Sequence, residues 1–544
     1  MAQPLETILA DIVYDPFVEA EKAEFFDSLV VHYAVPLVEG NDVYMTFKTG
    51  SYVSCNPPGS GTPVPCGGSA WDSQIWNVKK LTWQSGVLTE VWTFQSDWKP
   101  EPVELVAWEP VFLPVLAGGH LYVPGLGGTV FRVSKSSGSG VERINPFTGI
   151  DPSRFVAGGL AAGTDGSVVY NVVGLASDAV GQDVTGGWLV RIAPDHTPSS
   201  VPFSALVPGA PAPIDLCLGQ FSRDERPWPP APAAVPPSAP CGSQRPGVNV
   251  VPAIGADGSI YTVSRAHFND RYAYLVAVRS DLTPAWSASL RGLLNDGCGM
   301  LVPIDDTNIG CRTGAALGVD PATNELPAGR VDDQGTASPV VLPDGAILFG
   351  ASTGYNFGRG HLFKFSSQGQ ALATYDFGWD ITPAVRSHGG TYSILIKDNH
   401  YFDPTGSFFD ITSLDPNLVV EWSFRATNTE SCVRQPGGIE CVDDHPDGFE
   451  WCVNQPAVDG AGVTYANSED GYLYAFGPDG TLAGSLFLDT ALGAAYTPVS
   501  IGPNGIVYTQ NNGHLFAVGR APVPRETPEI APPETRDTRV LARP

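Results

Sequence analysis

The chain has 544 residues, and its 57 acidic residues outnumber its 30 basic ones to give a formal net charge of −27 at pH 7. This balance excludes nucleic-acid binding through a basic stripe, and no apolar run approaches the roughly 18 residues of a membrane span. The 61 Gly and 50 Pro residues, together with 43% hydrophobic residues, predict many turns around a large core rather than disorder.

The N-terminal segment contains two predicted elements. Asp15 offers an N-cap and Pro16 suits a first helical position, so the following FVEAEKAEFF is predicted to form a short surface helix. The next segment, Leu29–Tyr33 (LVVHY), has the composition of a strand but precedes the repeats described below. We therefore predict an N-terminal extension over residues 1–28 and a strand at Leu29–Tyr33 that completes the fold.

One phrase then recurs along the chain. It is a short apolar stretch, often with a proline, followed by a two-residue turn of the Asp-Gly type and a strand that ends in an aromatic or aliphatic pair. The eight copies begin at Val35, Leu113, Leu160, Val251, Ser338, Thr382, Gln455 and Thr497. Such self-similarity is typical of repeat architectures, in which each unit buries its faces against its neighbours.

Each repeat has the pattern of a small antiparallel sheet. After Ser338 the strands PVVL, AILFGA, HLFKFS and ALATYDF alternate with tight turns, which makes a four-stranded meander of roughly 45 residues. This predicts an all-β, eight-bladed β-propeller over residues 29–520. The last copy lacks a fourth strand before the Pro-rich tail of residues 521–544, so an N-terminal strand is expected to close the ring.

The phrases GVTYANSEDGYLYAFGPDG and GGHLYVPGLGGTVFRVSKSSG resemble the pyrroloquinoline-quinone-type (PQQ-like) propeller repeat. The resemblance implies an eight-bladed ring similar to quinoprotein alcohol dehydrogenases and to the outer-membrane assembly lipoprotein of that group. Family blades typically end in a Trp, and we interpret Trp92, Trp286 and Trp422 as packing between blades rather than quinone stacking. The chain departs from those enzymes in having no adjacent Cys pair and no match to their calcium ligands or catalytic Asp. PQQ is therefore not an expected cofactor.

The nine cysteines fall in close pairs inside Gly/Pro-rich loops, without the CxxC spacing of zinc or haem sites. They predict the disulfides Cys55–Cys66, Cys217–Cys241 and Cys298–Cys311, and leave open how Cys432, Cys441 and Cys452 pair. Disulfides imply a secreted or periplasmic protein. Because the sequence starts with Met-Ala-Gln and shows no apolar leader, we expect that a signal segment was replaced by an initiator Met; a reduced cytoplasmic protein is the alternative.

The phase of the repeat assigns the loops to two ends of the ring. Turns between first and second strands are tight, whereas the long insertions fall between second and third strands or between blades, which open at the other end. These insertions cover residues 49–73, 205–249, 291–336 and 425–454, and they contain all nine cysteines. Long ordered loops on a rigid scaffold are typical binding surfaces, so we predict function there; surface decoration is the alternative.

Two groups of residues carry candidate chemistry. The carboxylates Asp443, Asp444, Asp447 and Glu450 predict a calcium site, although their spacing is not that of an EF-hand and a solvated loop is the alternative. His400 with Asp398 and Asp380 is the candidate acid–base set. Trp379, His267, Asp270 and Arg271 are the candidate ligand-binding residues.

These observations support three hypotheses about function. The first is an exported, monomeric propeller that binds a small molecule, a polysaccharide or a protein at its disulfide-braced loops. The second is a quinoprotein oxidoreductase acting on alcohols or sugars, which only the repeat family suggests. The third is a hydrolase or lyase that uses calcium in the central funnel. The sequence does not decide whether the protein is an enzyme.

Overall fold

The computed structural model confirms the predicted eight-bladed β-propeller of four-stranded antiparallel sheets. The structure describes residues 2–24, 34–53, 69–102, 109–177, 181–222, 227–304, 310–335, 337–353, 359–378, 381–401, 406–451, 453, 455–490 and 497–520. The core consists of apolar clusters between adjacent blades, such as the one that packs Tyr261 and Val263 of blade 4 against Phe349 and Phe363 of blade 5.

Blades 1 to 4 follow one another along the chain, and the strands of each run from the axis outward. Blade 1 contains Leu37–Glu39, Asp42–Gly50, Gln74–Gln84 and Val87–Gln95; blade 2 contains Val115–Ala117, His120–Gly125, Thr129–Ser134 and Glu142–Ile144. Blade 3 contains Ala161–Ala162, Val168–Gly174, Gly186–Ile192 and Pro198–Pro202; blade 4 contains Ala253–Ile254, Ile260–Ala266, Ala273–Val278 and Pro284–Ser289. The extra strands Arg154–Val156 and Gln244–Pro246 pair with the second strands of blades 3 and 4.

The other four blades repeat this order, and two hairpins and short helices decorate the connections. Blade 5 contains Val340–Val341, Ile347–Ser352, Arg359–Phe365 and Ala371–Gly378; blade 6 contains Ala384–His388, Thr391–His400, Phe408–Leu414 and Val420–Arg425. Blade 7 contains Ala457–Val458, Thr464–Asn467, Tyr472–Phe476 and Leu482–Phe487; blade 8 contains Ser500–Ile501, Val507–Asn511, His514–Gly519 and Thr7–Val13. The hairpins pair Leu216–Leu218 with Ser238–Pro240 and Glu430–Gln435 with Gly438–Asp443, and the helical segments are Val18–Glu24, Ser69–Asp72, Leu126–Gly128 and Phe203–Leu206.

The ring is closed by an N-terminal strand, as predicted, but the strand is Thr7–Val13, which pairs with His514–Gly519. The segment predicted for this role, Leu29–Tyr33, lies outside the described residues, and the outer edge of blade 8 is already filled. Thr7–Val13 was missed because a bulge between Ile8 and Ala10 interrupts its alternation. The ring therefore includes part of the segment expected to precede it. The predicted helix is confirmed at Val18–Glu24.

Trp92, Trp286 and Trp422 join adjacent blades, as predicted. Each side chain leaves the outer strand of one blade and lies against the hairpin between the third and fourth strands of the next. The indole N–H groups donate to the carbonyl oxygens of Lys135, Ser367 and Pro478, respectively, at 3.2, 2.8 and 3.1 Å. The rings rest on Gly138, Gly369 and Gly480, where a Cβ atom would lie 2.7 Å from the nearest indole atom. These glycines are therefore required for close approach of the rings.

The antiparallel order of the strands divides the connections between two ends of the ring. We call the end that carries the second-to-third-strand loops and the blade-to-blade connections the loop face, and the other end the turn face. Turns on the turn face are tight: in Asp257-Gly258 and Asp344-Gly345 the Asp side chain accepts a backbone N–H two residues on, and the Gly has a φ of 81°. The described parts of the predicted long insertions lie on the loop face.

The structure confirms the disulfides Cys217–Cys241 and Cys298–Cys311 and pairs Cys432 with Cys441 across a hairpin. The sequence had left open how Cys432 and Cys441 pair. Cys55, Cys66 and Cys452 lie outside the described residues. Among the described residues, no helix has both the length and the apolar character needed to span a membrane.

Candidate functional site

A cavity of about 460 Å³ follows the axis of the ring. Its wall is formed by the inner strands of the blades, for example by Val115 and Val341, and it extends to Val111 and Asn249 in the connections of the loop face. Asn249 joins these connections, because its Oδ1 accepts the Val111 N–H at 2.8 Å and its Nδ2 donates to the Asp333 carbonyl at 3.2 Å. Asn249 adopts a left-handed φ of 67° in this position.

The lining of this cavity differs between the two halves of the ring. Near the start of each repeat, blades 1 to 4 present Val35, Leu113, Leu160 and Val251, whereas blades 5 to 7 present Ser338, Thr382 and Gln455. The polar half is fixed by hydrogen bonds: the Val251 N–H donates to Ser338 Oγ and the Ser338 N–H donates to Thr382 Oγ1, both at 2.9 Å. The cavity is therefore mainly apolar, and its preorganised hydroxyl groups lie at blades 5 and 6 beside Val340 and Val341.

A buried charge network connects the long insertion before blade 5 to blade 4. The Arg245 guanidinium donates to both carboxylate oxygens of Asp333, at 2.9 and 2.5 Å, and Arg265 donates to the same carboxylate at 2.8 Å. Burial alone would raise the pKa of Asp333, but the two guanidinium groups hold it well below its ordinary value. The carboxylate therefore remains ionised and fixes the insertion to the ring.

Of the predicted ligand-binding residues, His267 belongs to this network, and Asp270 and Arg271 lie in a second cluster with Arg330. His267 accepts from Arg245 Nε at 3.1 Å through Nδ1 and donates from Nε2 to the Gln182 carbonyl at 2.9 Å. Burial and the neighbouring guanidinium groups lower its pKa to about 4, so the ring is neutral. Asp270 binds Arg330 at 2.8 and 2.5 Å, and Arg271 is buried beside it. Trp379 lies outside the described residues.

Glu101 lies in the connection between blades 1 and 2 and is fully buried. Among the other described residues, neither of its carboxylate oxygens has a hydrogen-bond partner. Burial raises the pKa of this carboxyl to about 8; its own backbone N–H and Arg245 oppose the shift, and Asp333 reinforces it. Glu101 is therefore protonated at neutral pH and lies in the electrostatic field of the Asp333 network.

The structure brings His400 and Asp398 together, while Asp380 lies outside the described residues. The His400 Nε2 is 2.8 Å from Asp398 Oδ1, and the other oxygen accepts hydrogen bonds from Tyr375 and Thr412, each at 2.8 Å. His400 also stacks on Phe408, with 4.5 Å between the ring centroids. This is an oriented imidazole–carboxylate pair, the minimum for acid–base chemistry, and such a role stays a prediction.

No three of the four predicted calcium ligands bring carboxylate oxygens within 4.8 Å of one another. Asp443 is exposed on a hairpin strand and Asp447 is exposed in the following turn. The Asp444 carboxylate is 2.6 Å from His445 Nδ1 and accepts the Ser431 hydroxyl at 2.7 Å. Glu450 is instead partly buried and accepts the Tyr401 hydroxyl at 2.6 Å, and desolvation raises its pKa. Calcium binding by these residues stays a prediction.

A different group converges on the loop face at blade 5. The His361 Nε2 lies 2.5 Å from Asp296 Oδ2 and 3.7 Å from Asp376 Oδ1. In the described part of the chain, no other three His, Cys, Asp or Glu side chains bring their ligand atoms within 4.8 Å of one another. We missed this group in the sequence because Asp296 comes from a long insertion whose path no local pattern predicts.

No family model matches the chain, and no curated protein matches it. Among solved structures, the chain is similar to a europium-containing methanol dehydrogenase, with a TM-score of 0.49 and 10% identity over 92% of this chain and 84% of that one. It is similar to BamB from Moraxella catarrhalis, with a TM-score of 0.40 and 10% identity over 94% and 99%. It is also similar to the quinohemoprotein alcohol dehydrogenase from Comamonas testosteroni, with a TM-score of 0.45 and 12% identity over 90% and 75%.

Proposed function

We propose that the protein is a binding protein that takes up a small amphipathic molecule in its axial cavity from the loop face. The observation that carries this proposal is the cavity itself. Its volume of about 460 Å³ lies within the range of roughly 300–1,000 Å³ that is typical of small-molecule sites. Apolar walls with a few convergent polar groups are also typical of such sites.

The two halves of the lining define the chemistry of the ligand. The wall of Val35, Leu113 and Val251 suits a hydrocarbon or aromatic face. Blades 5 and 6 offer the hydroxyl groups of Ser338 and Thr382, which their inter-blade hydrogen bonds hold in place. A ligand with one apolar face and one hydroxyl- or carbonyl-bearing face would satisfy both parts of the lining at once.

The disulfides support export as part of the same proposal. Cys217–Cys241 and Cys298–Cys311 close loops of 24 and 13 residues on the loop face. Disulfides persist mainly in oxidising compartments, and closing loops of this length contributes roughly 3 kcal/mol in the chain-entropy model. An extracellular or periplasmic binding protein would gain rigid loops on this face of the ring.

The enzymatic alternatives have less support. The described lining offers no basic side chain to the carboxylates of a quinone cofactor, so the quinoprotein hypothesis still rests on the repeat resemblance. A hydrolase could use the His400–Asp398 pair, and that role stays a prediction. We therefore propose no reaction.

The proposal can be tested with a neutral fluorescent amphiphile, N-phenyl-1-naphthylamine. The substitution Ala253→Phe places a ring in the cavity and should weaken dye binding at least about tenfold, or about 1.4 kcal/mol. Ala371→Phe adds the same ring at an exposed position of blade 5 and should leave binding unchanged. Equal affinity in both variants, measured by fluorescence titration with matched melting curves, would refute binding in the cavity.

A further inference from the structure

The Asp296–His361–Asp376 group is held in place by elements that do not depend on its own contacts. His361 and Asp376 are direct partners across the third and fourth strands of blade 5, so their side chains lie on the same side of the sheet. Asp296 comes from the insertion before this blade, and its carbonyl oxygen accepts the Leu301 N–H at 3.0 Å. The three side chains are thus preorganised by a sheet and by an ordered loop.

The disulfide-braced loop fixes the position of Asp296. Two residues on, the Cys298 N–H donates to the Val319 carbonyl oxygen at 2.8 Å, and the Gly318 N–H donates back to Cys298 at 2.8 Å. The disulfide Cys298–Cys311 closes this loop. Because both sides of the group are rigid, an ion that joined them would lose little entropy to ordering the protein.

The exposure of the three side chains suits an ion that enters from solvent. The His361 side chain is 3% exposed, whereas those of Asp296 and Asp376 are 25% and 31% exposed. The imidazole therefore forms the floor of the group and the carboxylates form its rim. Three protein ligands with an open side are also typical of metal centres that retain a water or a substrate position.

We propose that Asp296, His361 and Asp376 bind a divalent first-row transition ion, with Zn²⁺ as the preferred ion in vitro. Bonds of about 2.0–2.1 Å to a tetrahedral Zn²⁺ place ligand atoms about 3.3 Å apart. The observed separations of 2.5 and 3.7 Å from His361 Nε2 bracket that distance. The ion would take the place of the proton between His361 and Asp296, with a shift of less than about 1 Å.

The ligand set also discriminates between ions. One imidazole nitrogen and two carboxylate oxygens suit Zn²⁺, whereas Ca²⁺ takes six to eight oxygen ligands and gains little from imidazole. The site differs in residues and in preferred ion from the predicted calcium loop around Asp443. It does not depend on ligand binding in the axial cavity, so either proposal can fail alone.

The test is a titration of chelator-treated, full-length protein with Zn²⁺, followed by calorimetry at neutral pH. We expect one equivalent to bind. Asp376→Asn should weaken this binding by more than about 100-fold, since loss of even an outer-shell partner costs about 10–100-fold. The control His514→Gln removes an imidazole that contacts Asp11 at 2.6 Å, and it should leave the titration unchanged.

Further measurements separate a metal site from an ion pair of His361 with the two carboxylates. Zn²⁺ should raise the melting temperature of the parent protein but not that of Asp376→Asn, and Co²⁺ should give visible d–d absorption only in the parent. If His361→Gln does not fold, the Asp376→Asn comparison still decides. Absence of stoichiometric Zn²⁺ binding, equal binding by Asp376→Asn, or tighter binding of Ca²⁺ than of Zn²⁺ would overturn the proposal.

Discussion

At the scale of single residues, Glu101 links burial to the pH dependence of stability. Its pKa of about 8 in the folded protein compares with 4.5 for an ordinary Glu. The stability that comes from keeping this carboxyl neutral is complete below about pH 4.5 and is lost as the pH rises through about 8. At 1.36 kcal/mol per unit, the total loss is at most roughly 5 kcal/mol.

We therefore expect Glu101→Gln, which preserves the shape of the neutral carboxyl, to be more stable than the parent at pH 8.5 and nearly equal to it at pH 5. Denaturant unfolding at both pH values measures the difference in free energy of unfolding. Glu440→Gln, at an exposed position on a hairpin, should follow the parent at both pH values. If the free energy of unfolding changed equally for Glu101→Gln and the parent between pH 5 and 8.5, this carboxyl would already be ionised or solvated in the folded protein.

The strand register in blade 5 explains why part of the candidate site could not be predicted from the sequence. If the strand pairing continued without interruption from the turn after Phe365, His361 would face Tyr375. A bulge at Lys364 and Phe365 shifts the register by one residue, so that His361 faces Asp376 instead. Tyr375 then points to the other side of blade 5 and donates to Asp398 at 2.8 Å. A single unpredicted residue in a hairpin thus decides which side chains meet.

At the scale of elements, this bulge recurs and sets the contacts between blades. In blades 1, 4 and 6 the register shift lies directly next to the backbone pair that contains Trp92, Trp286 and Trp422, respectively. Bulges increase twist and redirect side chains, so the indole of one blade reaches the glycine of the next. The role of these Trp residues could be predicted from their places at strand ends. Their glycine partners could not, because the pairing depends on where the bulges fall.

Two glycines of blade 5 allow this contact to be measured. Gly369 and Gly345 have φ of 82° and 81°, but a Cβ would lie 2.7 Å from Trp286 at the first and in open space at the second. Both Gly→Ala changes should cost about 1–2 kcal/mol for the left-handed backbone. Gly369→Ala should cost about 1–3 kcal/mol more from overpacking against Trp286.

Urea unfolding of the two single variants gives this difference directly. Adding Trp286→Ala to Gly369→Ala should remove the steric part of the loss, so that the two changes are not additive. Equal costs at positions 345 and 369 would mean that the indole moves aside without penalty, and the contact would then be incidental.

At the scale of the whole molecule, the ring depends on a strand that is remote in sequence from its partner. Six residues of Thr7–Val13 pair with the last strand of blade 8. At about 0.5–1 kcal/mol for each paired residue, removal of residues 2–13 should destabilise the protein by roughly 3–6 kcal/mol. The unpaired edge of His514–Gly519 should also promote self-association.

Light scattering and thermal unfolding of the truncated protein test this expectation. A synthetic peptide of residues 2–13 added in trans should raise the melting temperature, whereas a scrambled peptide should not. An unchanged melting temperature and a monomeric truncated protein would mean that blade 8 is stable with three strands.

The closure also has a consequence during synthesis. Thr7–Val13 leaves the ribosome long before its partner strand, which ends at Gly519. At about 5–20 residues per second, roughly half a minute to two minutes separate the two. Throughout that interval the nascent chain carries an early strand with no sheet to join and a growing arc of blades with an open end. Two adhesive edges therefore stay exposed in the nascent chain until the partner strand has been made.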